Sequence, residues 1–156
     1  MVLSIDLDTL AVTPAAVSVR RGDVLRVHVS FLQGGVVREL PSDAVGRLVV
    51  KKVGDFSGEV VAGSRPWGPV GITPPPAHWR KVGASVNARY IFDLNLNTQQ
   101  MNDLFLAAAG ELAEVQLVLE VEWSCRGMRT TAQRVTFRVG NDYLRSNDVP
   151  PAILLA

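Results

Sequence analysis

The sequence has few of the residues from which catalytic and metal sites are built. Its 156 residues include one cysteine, Cys125, and two histidines, His28 and His78. One cysteine cannot form a disulfide within the chain, and two widely spaced histidines do not match the ligand spacing of a zinc site. Phosphate-binding glycine loops, dinucleotide fingerprints and nucleophile elbows are also missing. We therefore predict that the protein is not an enzyme, and we expect no cofactor and no bound metal.

Blocks of like charge and long apolar runs are missing too. The chain has 16 basic and 15 acidic residues, for a formal net charge of +1, and a balance this even does not favour nucleic-acid binding. No stretch approaches the roughly 18 apolar residues of a membrane span. The first ten residues contain Asp6 and Asp8 and do not resemble a signal peptide. We expect a soluble protein, made in the cytoplasm, that binds neither nucleic acid nor membranes.

What the sequence does contain is a series of segments in which apolar and polar residues alternate. Val24–Leu32, Val86–Leu96 and Val115–Trp123 have the period of two that half-buried strands show. Thr130–Val139 follows a turn around Gly127 and is predicted to return antiparallel to the preceding run. Many short strands with turns between them and a single helix are typical of an antiparallel β-sandwich, immunoglobulin-like or jelly-roll-like.

Two finer predictions accompany this fold. Across the predicted hairpin, Glu120 and Glu122 are expected to face Arg134 or Arg138, because opposite charges pair across strands. One short α-helix is expected near residues 98–109, with Thr98 as its N-cap and apolar residues at helical spacing. We predict one domain over residues 1–145 and a C-terminal tail over residues 146–156.

A long loop over residues 57–83 interrupts the strand pattern. It is rich in proline and carries Trp67 and Trp79, and loops of this length in compact domains are usually functional or mobile. The two tryptophans either close one end of the core or, with Arg80, form a platform that stacks on sugars or partner chains. The apolar end of the tail is expected to dock on this chain or on a neighbour.

Several segments together carry a family resemblance. They are Arg20–Asp23, Leu40-Pro41, Gly46–Lys51, Gly54–Phe56, Trp67, Tyr90–Thr98, Leu104-Phe105, Glu120–Trp123, Thr130-Thr131, Val135–Phe137 and Asn141–Arg145. In this order the chain resembles small structural proteins of phage and prophage tail clusters, and the N-terminal β-sandwich domains of upper-baseplate and tail-fibre proteins. The resemblance implies a virion component that works as a homo-oligomer through contacts with other virion proteins.

The expected function is therefore assembly of a phage tail, baseplate or fibre attachment. Two alternatives stay open: a module that binds a host-surface glycan or receptor through Trp67 and Trp79, and a capsid decoration or head-fibre protein. The residues expected to contact partners lie in the long loop and the C-terminal segment: Trp67, Pro75, Trp79, Arg80, Tyr143, Ile153, Leu154 and Leu155.

Overall fold

A computed structural model describes residues 1–21, 24–54, 60–65, 78–108 and 114–140. These residues form twelve strands, one α-helix and a short 3-10 turn at Ser85–Asn87. The helix, α1, spans Gln99–Ala108. The strands are β1 (Val2–Asp6), β2 (Val12–Thr13), β3 (Ala16–Arg20), β4 (Val24–Gln33), β5 (Val36–Arg38), β6 (Val45–Lys52), β7 (Ala62–Gly63), β8 (Arg80–Val82), β9 (Arg89–Asn95), β10 (Glu114–Cys125), β11 (Met128–Thr131) and β12 (Val135–Gly140).

The strands form two sheets that pack together, which confirms the predicted β-sandwich. The first sheet has the order β2-β1-β4-β9-β8, with β5 paired to β4. The second has the order β3-β12-β10-β6-β7, with β11 paired to β10. The pairs β1–β4 and β3–β12 are parallel. Both sheets are therefore mixed, whereas the sequence predicted antiparallel sheets. Each parallel pair sets a strand from the first 20 residues beside a later strand that runs in the same direction.

The core lies between the sheets and follows the alternation in the sequence. On β10, Leu117, Leu119, Val121 and Trp123 are buried, as the period of two predicts. The N-terminal strand β1, which was not predicted from the sequence, also contributes fully buried side chains to this core.

The predicted hairpin is present, but its returning strand is split. The tight turn Arg126–Gly127 leads into β11, and the chain continues along β10 as β12. Glu120 forms the expected ion pair with Arg134, whose Nε lies 2.7 Å from Oε1 of Glu120. Glu122 instead pairs with Arg129 on β11, because the split places a second arginine closer to it.

The predicted helix is confirmed to within a residue at its start. Thr98 caps it, since the Met101 amide donates to Thr98 Oγ1 at 3.1 Å. The Thr98 hydroxyl also donates to the Val61 carbonyl at 2.7 Å, and Met101 and Phe105 are buried. The helix therefore packs its apolar face on the sandwich. Within the described residues, no helix has the length and hydropathy to cross a membrane.

The predicted loop over residues 57–83 needs a correction. Its described parts contain two short strands, β7 and β8, one at an edge of each sheet. Sequence alternation cannot identify strands of two or three residues, because the pattern has to run over about four residues or more to be recognised. The predicted domain boundary at residue 145 and the tail 146–156 lie outside the described residues.

Candidate functional site at the base of residues 66–77

Two of the eight predicted partner-binding residues, Trp79 and Arg80, lie in the part of the chain that the structure describes. Arg80 is an exposed residue of the edge strand β8, opposite Ile91 of β9. Its exposure is compatible with partner binding, which stays a prediction for this residue. The other six lie outside the described residues: Trp67, Pro75, Tyr143, Ile153, Leu154 and Leu155.

Trp79 belongs to the core, so the prediction that it offers an exposed stacking face is wrong. The residue is 5% exposed. Its ring lies 4.4 Å from that of Tyr90, 5.7 Å from Phe92 and 5.9 Å from Phe31, measured between centroids. With Trp123, whose ring is 4.8 Å from that of Phe31, these residues form what we call the aromatic cluster. Large aromatic side chains gain most of their stabilisation from such burial, which is the core alternative raised for Trp79.

A glycine on the facing sheet makes room for the Trp79 ring. A Cβ atom at Gly46 would lie 2.2 Å from ring carbons of Trp79, well inside van der Waals contact. Gly46 is therefore needed for the close approach of the indole to β6. The sequence gives no sign of this role, because Gly46 stands at the start of a strand where a turn residue is equally plausible.

Tyr90 ties the aromatic cluster to the backbone. Its hydroxyl accepts a hydrogen bond from the buried Leu40 amide at 2.8 Å. Burial raises the pKa of Tyr90 above its ordinary value, and the hydrogen bond from Leu40 opposes that shift. The phenol therefore stays protonated at neutral pH and has a structural role.

The described residues on either side of residues 66–77 lie next to each other on the sandwich. Before them, the Ser64 amide donates to the Leu48 carbonyl at 2.8 Å, and Ser64 Oγ accepts from the Leu48 amide at 3.0 Å. After them, Nδ1 of His78 lies 2.6 Å from the carbonyl oxygen of Ser64. A carbonyl only accepts, so His78 carries its proton on Nδ1 and donates. This hydrogen bond joins the chain before residues 66–77 to the chain after them.

A buried carboxylate fixes the departing end. Asp93 is 2% exposed, and its two oxygens bind Arg26 Nε and Arg65 Nη2, each at 3.1 Å. The Arg65 amide also donates to the Asp93 carbonyl at 3.0 Å. Burial of a carboxylate is costly unless it is paired and hydrogen-bonded, and here both conditions are met. We call Ser64, Arg65, His78 and Asp93 the clamp.

The remaining reactive groups do not form a reaction centre in the described part of the chain. Cys125 Sγ lies 3.4 Å from Asp43 Oδ1, and burial, followed by this contact, raises the pKa of the thiol. Burial, with Arg89, the N-terminus and Arg26, lowers the pKa of His28. Among the residues described, no three His, Cys, Asp or Glu side chains meet in a way that would hold a metal ion.

One surface depression lies beside the 3-10 turn. It has a volume of about 410 Å³ and is lined by Ser30, Val86, Asn87, Ala88 and Arg89. These residues include one cation and two neutral polar side chains, but no nucleophile beside a base. The depression therefore offers hydrogen bonds from Ser30, Asn87 and Arg89, and no base for the Ser30 hydroxyl is among its lining residues.

Comparisons with known proteins give no family. No protein-family model matches the chain, and no curated protein matches it.

Sequence reasoning missed the members of the clamp. One signal was available: Asp93 is a lone carboxylate within the otherwise apolar run 90–94, and Arg26 lies on the polar face of Val24–Leu32. A charge in a buried strand needs a partner, so the pair Asp93–Arg26 could have been predicted from the sequence. Ser64 and His78 follow no sequence pattern, because their contact depends on where the chain returns.

Proposed function

We propose that this chain is a non-enzymatic structural component of a phage virion, placed in the tail, baseplate or fibre attachment. Its partners are other virion proteins and further copies of itself. The observation that carries the proposal is the clamp, which joins the residues on either side of residues 66–77 to each other and to the sandwich. Binding segments in proteins are characteristically loops positioned by a rigid scaffold.

The composition of the segment supports this role. Residues 66–77 include Pro66, Pro69 and the run Pro74–Pro76. Proline restricts the backbone before binding, so less conformational entropy is lost when such a segment is ordered against a partner. A proline-rich segment on a fixed base is therefore suited to protein–protein contact.

The charged groups of the sandwich support assembly more than chemistry. Glu120 binds Arg134 and Lys51, at 2.7 and 3.6 Å, and Asp93 binds two arginines. Catalytic carboxylates need access to a substrate, whereas these two are buried and paired with basic side chains. The resemblance to tail and baseplate proteins then supplies the location, which the contacts alone do not specify.

The glycan-binding alternative is weakened by the placement of Trp79. A sugar platform needs an accessible aromatic face, and the Trp79 ring is enclosed by Phe31, Tyr90 and Phe92. A platform would have to form without it. A capsid decoration protein would use the same fold, so the location in the particle separates that alternative from a tail component.

Mass spectrometry of purified phage particles, or density for the chain in an intact particle, tests the location. We expect the chain in tail or baseplate fractions. Its absence from particles, or its presence in heads alone, would contradict the proposal.

The role of the clamp has its own test. His78→Ala removes the hydrogen bond to Ser64 that joins the chain on either side of residues 66–77. We expect particle incorporation to fall several-fold while the circular dichroism spectrum stays that of the wild type. The matched control is His28→Ala. His28 is the other histidine of the chain and lies outside the clamp, so its removal should leave incorporation unchanged. Equal incorporation of both variants would show that the clamp does not serve assembly.

A further inference from the structure

The edge strands of the two sheets differ in how well they are protected against pairing with another strand. An unpaired edge exposes backbone donors and acceptors, and proteins usually blunt it with short strands or charged residues. Among the described residues, β2, β8, β3 and β7 end the two strand orders, and β5 and β11 are shorter outer strands of 3 and 4 residues, each with an arginine. Of the four strands that end the orders, β2 and β7 have 2 residues each and β8 has 3, including Arg80 and Lys81. β3 has 5 residues, with Ala-Val-Ser-Val before its single terminal arginine.

The hydrogen bonds between β3 and β12 show which backbone N–H and C=O groups of β3 face away from β12. The Thr136 amide donates to the Ala15 carbonyl at 2.9 Å, and the Arg21 amide donates to the Gly140 carbonyl at 2.9 Å. Successive residues of a strand direct their N–H and C=O groups to opposite sides. Ala15, Val17, Val19 and Arg21 therefore face β12, while the amide and carbonyl groups of Ala16 and Ser18 face away from it.

We propose that β3 is an interface with a second copy of this chain, in which the two β3 strands pair antiparallel across a two-fold axis. The inference assigns a surface to the self-association proposed above, and its argument rests on the geometry of this edge. Two-fold interfaces place the same surface on both partners. An edge strand that lacks an internal charge meets this requirement without opposing like charges.

The direction of the backbone groups specifies the register. With Ala16 opposite Ser18 of the second copy, each residue both donates to and accepts from the other, and symmetry repeats both bonds. Val17 then lies opposite Val17 of the second copy in a non-hydrogen-bonded pair. Arg20 lies opposite Pro14 of the second copy, so the two arginines are far apart. Val17 is half-buried on the core face, and this pairing would extend the apolar interior across the axis.

The molecular mass of the full chain in solution, measured by sedimentation over a range of concentrations, tests the proposal. We expect a dimer. Ser18→Pro removes an outward amide from an edge strand, where proline is tolerated, and should weaken dimerisation at least about tenfold with the thermal transition retained. Ser18→Thr keeps the amide and serves as its control.

Cysteine crosslinking keeps the test decisive should Ser18→Pro fail to fold. In a Cys125→Ser background, Val17→Cys should form a disulfide-linked dimer, because Cα atoms in such a pair lie about 4.5 Å apart, within the range of a disulfide. Val19→Cys is the control, since its partner in this register is Ala15. Three outcomes would overturn the proposal. They are a chain that is monomeric at every concentration, pairing of β3 only with another protein, and equal crosslinking of the Val17→Cys and Val19→Cys variants.

Discussion

Trp79 and Trp123 reach the same core by different routes. Trp123 lies on β10, the longest strand, and is 6% exposed. Trp79 stands just before the three-residue strand β8 and is 5% exposed. Both contact the ring of Phe31, but Trp79 also contacts the rings of Tyr90 and Phe92. The tryptophan from the irregular part of the chain thus makes more contacts with other aromatic rings than the one from the regular strand.

The difference shows that regularity of secondary structure and integration into the core are separate properties. A strand places alternate side chains inward by its geometry. A side chain from an irregular segment enters the core only if the opposing surface leaves room, as Gly46 does for Trp79. The clamp holds the chain next to this buried ring through the contacts of His78 with Ser64 and of Arg65 with Asp93.

The largest expected effect on the free energy of unfolding comes from truncating the two tryptophans. Trp79→Ala and Trp123→Ala should each cost about 3–5 kcal/mol of unfolding free energy, as truncation of large buried aromatics does. Trp79→Ala should be the more destabilising, because it removes ring contacts with three neighbours. Urea unfolding measures both values. A smaller loss for Trp79→Ala than for Trp123→Ala would mean that the contacts around Trp79 add little.

The next effect tests the room made for the indole. Gly46→Ala places a methyl group against the Trp79 ring, and we expect a loss near the upper end of the roughly 1–3 kcal/mol that overpacking costs. Gly63→Ala is the matched control on the neighbouring strand, since its Cβ would have only ordinary contacts at 3.6 Å and beyond. Equal stability of the two variants in urea would show that the ring moves aside at little cost.

The smallest effect on stability is expected from removing the hydroxyl oxygen of Tyr90, the neighbour of Trp79. Tyr90→Phe keeps the ring contacts but leaves the Leu40 amide without its acceptor, at a cost of about 1–2 kcal/mol. Because burial raises the pKa of Tyr90 in the folded state, wild-type stability should be retained below about pH 10, the ordinary tyrosine pKa, and fall as the pH rises above it. The variant should lose less stability over that alkaline range.

Unfolding curves at neutral pH and above pH 10, recorded for both proteins, test the pH effect. The only other tyrosine, Tyr143, is present in both and so cancels in the difference. Parallel losses of stability in the two proteins would mean that Tyr90 does not contribute to the alkaline transition.

The β-sandwich was predictable because apolar and polar residues alternate along its long strands. Val24–Leu32, Val115–Trp123 and the helix capped by Thr98 lie where the sequence placed them. The candidate site was mostly not predictable: Trp79 was a member of the predicted platform, yet its ring is in the core. Asp93 had a detectable signal, whereas the contact between His78 and Ser64 joins residues whose proximity no local pattern encodes.

Local sequence determined the elements of this protein, since periodicity and capping act between residues a few positions apart. Only the tertiary structure decided which strands became parallel neighbours, which arginines reached Asp93 and Glu122, and which edge was left long and without internal charge. These outcomes depend on how distant segments meet in space, and a one-residue change in register would redirect every side chain of a strand to the opposite face.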